Sequence, residues 1–285
     1  MKLIFLHIPK AGGTTFHKIL ERMYNGSTIF TIKVRGHHLG VDEFISLPEE
    51  KKKEISVLKG HMPFGLHTHF RDASAKYITL FRDPVDRIIS HYDFVVRTPK
   101  HYLYDTVKAS NMTLLDYALS DLSGELDNHQ CRSLVNDQNI GMNNFTEKLY
   151  DQAIENLHEH FISFGVVEEF DKSLVLFRSE LGWAQYPYYV KLNVSPDPHD
   201  NKIAPEVKAK IEQRNQWDVR LYNYVKEEFN RRLQQVSNLE DELRILNVAG
   251  EAYRKGLDHG LITANQHNRK WKTRIWSVVR SLFRR

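Results

Sequence analysis

Hydrophobic positions along this chain switch between two rhythms, and the switches mark its elements. Lys2 to His7 is an apolar run of strand length, and Pro9 to Gly13 interrupts it as a tight loop. Phe16, Ile19, Leu20 and Met23 then recur at i, i+3, i+4 and i+7, one face of an amphipathic helix. Thr28 to Val34 reads as a second strand, the charged stretch from Pro48 as a surface helix with proline in its first turn, and Ser56 to Gly60 as a third strand. Tyr77 to Phe81 is a further strand, Arg82-Asp83-Pro84 its turn, and Val85, Ile88, Ile89 and Tyr92 keep helical spacing. Weaker helical patterns cover 112–120 and 146–159, followed by a strand at Phe161 to Val167 and a helix from Phe170 to Leu181.

Prolines 187, 196 and 198 keep the stretch from Pro187 to Pro198 extended or looped. Pro205 opens one long helix running to about Val236, carried by Val207, Ile211, Leu221, Val225, Phe229 and Leu233. Strands alternating with helices predict an α/β domain with a mostly parallel central sheet covered by helices on both faces. The expected division is a 1–236 α/β domain and a 237–285 helical C-terminal extension. Its tail, Asn268 to Arg285, has seven Lys or Arg and no acid, with Trp271, Ile275, Val279 and Phe283 roughly on one face. Such a tail suits contact with a membrane surface or another subunit.

Composition narrows the chemistry. A net charge of +4 in 285 residues suits small anionic ligands and gives no reason to expect nucleic acid binding. The fifteen histidines are scattered without ligand spacing, so no metal site is expected. The single cysteine, Cys131, excludes an internal disulfide framework and agrees with a reducing compartment. The N-terminal apolar run is too short for a signal segment, and no stretch approaches the roughly 20 apolar residues of a membrane helix. The chain is therefore expected to be soluble and cytoplasmic.

The sharpest chemistry lies in His7-Ile-Pro-Lys-Ala-Gly-Gly-Thr-Thr. A strand ends, Gly12 and Gly13 permit close backbone approach, and Thr14 and Thr15 open a helix whose free amides and dipole favour a phosphate. Lys10 adds a charge ahead of the turn. It precedes the glycines, which is not the order of a Walker A loop. The same residues also fit an ordinary turn capped by Thr14.

This segment resembles the 5′-phosphosulfate loop of the sulfotransferase superfamily, in the Pro-Lys-(Thr/Ala)-(Gly/Ala)-(Gly/Ser)-Thr form of its carbohydrate-modifying branch. A second segment, Tyr77-Ile-Thr-Leu-Phe-Arg-Asp-Pro-Val-Asp-Arg-Ile-Ile-Ser, is similar to the family's 3′-phosphate motif, with Arg82 ending a strand and Ser90 eight residues on. A guanidinium makes paired charge-assisted bonds to phosphate, and a serine hydroxyl supplies another donor. The alternative is that Arg82 pairs with Asp83 or Asp86; Arg87 reads as structural, bridging Asp83. Between the motifs, Lys59-Gly-His-Met-Pro matches the strand-end Gly-His of the uronosyl 2-O-sulfotransferase group, which implies His61 as the base. An imidazole with a pKa near ~6.5 accepts a hydroxyl proton at neutral pH. His37, His38, His67 and His69 are its competitors.

The resemblance, which runs from residue 3 to about 230, implies 3′-phosphoadenosine 5′-phosphosulfate (PAPS) as donor and adenosine 3′,5′-bisphosphate (PAP) as product, with no metal required. Lys10, Ala11, Gly12, Gly13, Thr14, Thr15, Arg82 and Ser90 are the implied donor contacts, and His61 and Lys10 the catalytic pair. A carbohydrate hydroxyl is the implied acceptor, with Tyr102, Tyr104, Trp183, Tyr186, Tyr188 and Tyr189 as candidate stacking faces. A lipid, polyketide or other alcohol stays open, as do a kinase using the same loop and a nucleotide- or glycan-binding protein without turnover. Three further segments, around Asp127 to Leu134, Phe164 to Leu174 and Asp218 to Tyr222, also resemble bacterial members and are expected to support the fold or shape the acceptor cleft.

Overall fold

The computed structural model describes residues 1–35, 38–71, 74–136, 140–190 and 203–258. The basic tail and most of the proline-rich stretch from 187 to 198 lie outside them.

Five strands form one parallel sheet: β1 (Lys2–Leu6), β2 (Ile29–Ile32), β5 (Val57–Gly60), β6 (Ala75–Phe81) and β7 (Phe161–Val166), in the order β2-β5-β1-β6-β7. Two short strands, β3 (Val34–Arg35) and β4 (His38–Leu39), pair antiparallel beside it. All five residues of β1 are buried, which is why its sequence is a run rather than an alternation. In register, Leu6 lies opposite Gly60 and Phe81 opposite Val166, so the carboxyl ends of β1, β5, β6 and β7 share one edge.

The helices are α1 (Gly13–Met23), α2 (Val41–Ile45), α3 (Glu49–Glu54), α4 (Pro84–Arg97), α5 (Tyr104–Ala109), α6 (Leu114–Leu119), α7 (His129–Arg132), α8 (Glu147–His160), α9 (Phe170–Glu180), α10 (Pro205–Arg214), α11 (Gln216–Leu233) and α12 (Leu239–Asp258). One core lies under α8 and α11 with Phe81, Phe164, Leu221, Val225 and Phe229, and a second joins Phe5, Phe16, Ile78 and Phe177. Leu246 and Ala249 of α12 are buried in that second core. Ridges of α4, α6 and α10 make a third.

The helix expected from Pro205 to Val236 is two helices. Asn215, fully buried, breaks it with φ −110° and ψ 36°. Its Nδ2 donates to the Ile211 carbonyl and its Oδ1 accepts from the Asn128 N–H. The Asn215 N–H still donates to the Ile211 carbonyl, but the Trp217 and Asp218 amides turn to Asn128 Oδ1 instead of a helical carbonyl, and the apolar spacing on both sides gives no sign of it.

Candidate functional site

The candidate site sits at the carboxyl edge of the sheet, where β1, β5 and β6 hand over to loops, as is usual for open parallel sheets. After β1 the chain turns through Lys10 (φ +67°) and Gly12 (φ +71°), both left-handed. Gly12, not Thr14, caps α1, and no side chain caps that end. The first-turn amides of α1 therefore face outward with no intrahelical acceptor. Thr14 is exposed and Thr15 half-buried, while Ala11 is buried under the loop. Gly13 has no room for a side chain: a Cβ there would stand 1.8 Å from His7 Nε2.

Lys10 is held against this turn. Its ammonium lies 4.0 Å from the centre of the Phe94 ring, and its carbonyl accepts from Arg82 Nη1 at 3.1 Å. Burial, and then the charges of Arg82 and Arg97, bring its pKa down to about 8. Arg82 is fixed from behind by Gln130, whose Oε1 accepts from the Arg82 N–H at 3.0 Å and whose Nε2 donates to its carbonyl at 2.8 Å. The Asp218 carboxylate in turn accepts from the Gln130 and Cys131 amides. Two of the segments expected to support the fold thus clamp the strand end that carries Arg82.

Arg82 pairs with neither Asp83 nor Asp86. Asp83 is instead the cap of α4, accepting from the Val85 and Asp86 amides. Arg87 is fully buried and bonds the Glu125 carbonyl at 2.6 Å, not Asp83. Ser90 hydrogen-bonds to neither Lys10 nor Arg82 among the described residues. It shares a face of α4 with Phe94 and Arg97, at i, i+4 and i+7, and so looks toward Lys10.

His61 ends β5 beside the same turn. Its Nδ1 is 3.0 Å from the His7 carbonyl oxygen. A carbonyl only accepts, so Nδ1 carries the proton and Nε2 keeps a lone pair. The ring stacks on His7 with centroids 4.1 Å apart, and His7 lies on Phe5 on its other side. His17 Nε2 then meets His7 Nδ1 at 3.0 Å. Burial holds His61 and His7 below the usual imidazole range and takes His17 down to about 3, so the stack is neutral at physiological pH. His67 lies elsewhere, against Tyr77 and His160 near the amino ends of β6 and β7, and His69 packs beside Phe44. His37 is outside the described residues, as is the side chain of His38.

Glu125 is the residue that sequence reasoning missed. Its Oε2 is 2.8 Å from His91 Nε2, and His91 Nδ1 is 2.8 Å from the Tyr117 hydroxyl. Burial alone raises a carboxyl pKa, but His91, His129 and Arg87 outweigh it and hold Glu125 well below the carboxylate range. Its negative charge acts on both His61 and Lys10, favouring their protonated forms. Nothing in Ser-Gly-Glu-Leu marks this glutamate, because its partners come from α4 and α7.

Comparison with known proteins places the chain in a family. The model of the galactose-3-O-sulfotransferase family matches residues 1–265. The chain belongs to that family. It is 25% identical over 221 residues to human uronyl 2-sulfotransferase, covering 62% of this chain and 50% of that one. With zebrafish (Danio rerio) heparan-sulfate 6-O-sulfotransferase 2 it shares 24% over 290 residues, 81% of this chain and 58% of the relative. The chain thus spans about half the length of the curated relatives it matches. Among solved structures, a sulfotransferase from Alicyclobacillus acidocaldarius overlaps 79% of this chain and 96% of its own, with TM-score 0.40 and 14% identity.

Proposed function

We infer that this sulfotransferase moves a sulfuryl group from PAPS to a hydroxyl of a carbohydrate. The observation that carries the inference is an uncapped helix start with three groups converged on it: Lys10, Arg82 locked to the Lys10 carbonyl, and His61 with its Nε2 lone pair free.

The first-turn amides of α1, with Thr14 and Thr15, hold the 5′-phosphosulfate. Arg82 and Ser90 hold the 3′-phosphate, which an ATP-using enzyme has no need to read. His61 Nε2 takes the proton of the acceptor hydroxyl as its oxygen bonds to sulfur, and the bond from sulfur to the bridging oxygen breaks. Lys10 meets the negative charge that develops on that oxygen. Residual charge on Glu125 favours the imidazolium formed at His61. The family match supports the transfer and the sugar acceptor.

Calorimetry tests the donor. PAP is expected to bind at least ~10-fold more tightly than AMP, a difference of about 1.4 kcal/mol, and Arg82→Ala to erase most of that preference. Equal affinity for the two nucleotides removes the 3′-phosphate site. Labelled sulfate transfer across a panel of sugar and non-sugar alcohols tests the acceptor.

A further inference from the structure

Proteins rarely leave large aromatic rings in water without a use for them, and those they do expose tend to mark binding sites. Among the described residues the large exposed hydrophobics are Met1, Ile45, Phe94, Tyr102 and Leu119. The two aromatics of that set, Phe94 at 40% exposure and Tyr102 at 47%, flank His101 beside Lys10. A chain of contacts places them. The Lys10 ammonium lies over Phe94 at 4.0 Å, His101 meets the edge of Phe94 at 5.5 Å, and Tyr102 stacks on His101 at 4.7 Å and 29°.

This ledge is rigid as well as exposed. The Tyr102 hydroxyl donates to Ser123 Oγ at 2.8 Å, and that same Oγ accepts from the Glu125 N–H at 3.2 Å. His101 also packs edge-on against His91, the partner of the Glu125 carboxylate. The rings are therefore tied to the turn that carries Glu125. His91 engages one carboxylate oxygen of Glu125, whose side chain keeps 27% exposure, and among the described residues the other, Oε1, makes no hydrogen bond.

Resting on the sulfotransferase reading above, we propose that Phe94, His101 and Tyr102, with Glu125 at their inner edge, form the acceptor subsite and seat a neutral pyranose ring. A pyranose offers an apolar C–H face and a rim of hydroxyls. Pinned aromatic rings match the face at little cost in side-chain entropy, and Glu125 Oε1 accepts from the rim. The position beside Lys10 brings one of those hydroxyls toward the reacting sulfur. A fatty alcohol makes no use of the carboxylate, and a uronate is repelled by it. Four of the other candidate stacking faces are committed elsewhere: Trp183 and Tyr186 are buried in the second core, with Tyr188 and Tyr189 packed against it.

Saturation-transfer NMR on the full chain, saturated with PAP, tests the subsite with N-acetyllactosamine, methyl glucuronide and 1-octanol as probes. N-acetyllactosamine ring protons are expected to receive saturation. Tyr102→Ala is expected to cut the signal at least fivefold, and Tyr102→Phe, which keeps the ring, to retain most of it. Glu125→Gln is expected to weaken the sugar and narrow its advantage over the glucuronide. Calorimetry with PAP on each variant should give wild-type affinity for the two Tyr102 variants. The proposal is overturned by a full sugar signal in Tyr102→Ala, by no sugar signal in a chain that binds PAP, or by octanol or glucuronide binding as well as the galactoside. If PAP itself fails to bind, the donor reading falls, and the sugar signal of the nucleotide-free chain still decides the ledge by the same variants.

Discussion

Two strand-to-helix turns stand on the same edge of this sheet and treat their helix amides in opposite ways. After β6, Asp83 accepts from the amides of Val85 and Asp86, and Pro84 occupies the first helical position, where no N–H is needed. After β1, Gly12 supplies the left-handed turn and no side chain caps the amides that follow. The first turn completes itself; the second leaves its amides open to an acceptor from outside the helix. A cap adds about 1 kcal/mol of stability, so leaving it out at α1 keeps open a site that the capped turn has closed. Charge placement follows the same division, with Lys10 and Arg82 gathered at the open turn and an acidic pair, Asp83 and Asp86, at the closed one.

The largest expected effect tests what the open turn is for. His61→Ala should lower the transfer rate by roughly 10²- to 10⁴-fold while calorimetric PAP affinity stays near wild type. A variant that transfers normally, or that loses PAP instead, moves the base elsewhere.

Filling the open turn comes next. Gly13→Ala puts a Cβ against His7, whose ring is held by Phe5, His61 and His17 and has nowhere to go. Denaturant unfolding should show a loss of about 1–3 kcal/mol, with PAP affinity falling alongside it. Unchanged affinity in a folded Gly13→Ala chain means the loop is not the anion site.

Proton uptake sharpens the comparison further. The folded pKa of Lys10 is lowered to about 8 by burial first and then by Arg82 and Arg97, against an unperturbed 10.5. A base with a depressed folded pKa costs stability in full below about pH 8, and that cost fades as pH rises toward 10.5. Nucleotide binding runs the other way, since the anion needs the ammonium: affinity should fall as pH rises through about 8, with a fraction of a proton taken up on binding near that pH. Calorimetry in two buffers of different ionisation enthalpy measures the uptake, and Lys10→Met should abolish it. Equal uptake in the variant assigns the proton to another group.

The smallest effect belongs to the closed turn. Asp83→Ala should cost about 1 kcal/mol in unfolding free energy and leave the ratio of PAP to AMP affinity unchanged. A large loss of nucleotide selectivity there would mean that the two turns are not functionally separate.

What the sequence determined by itself is what lies close together along the chain. The Lys10 to Thr15 turn, the Arg82 strand end and the Gly-His of β5 each combine a strand, a turn and a chemical group within a few residues, so periodicity and residue type reveal them together. The five strands and most helices were legible for the same reason, since burial on one face or both leaves a repeat in the sequence. Tertiary structure alone decided which turn stays open, because capping depends on where a side chain points and not on whether a threonine is present. It also decided the tautomer of His61 through a carbonyl 54 residues away in sequence. The break at Asn215 depends on Asn128, the Glu125 contact on His91, and the aromatic ledge on Lys10 meeting Phe94. Each of these is a pairing between distant segments whose members carry no shared period, and only the packed fold brings them within reach.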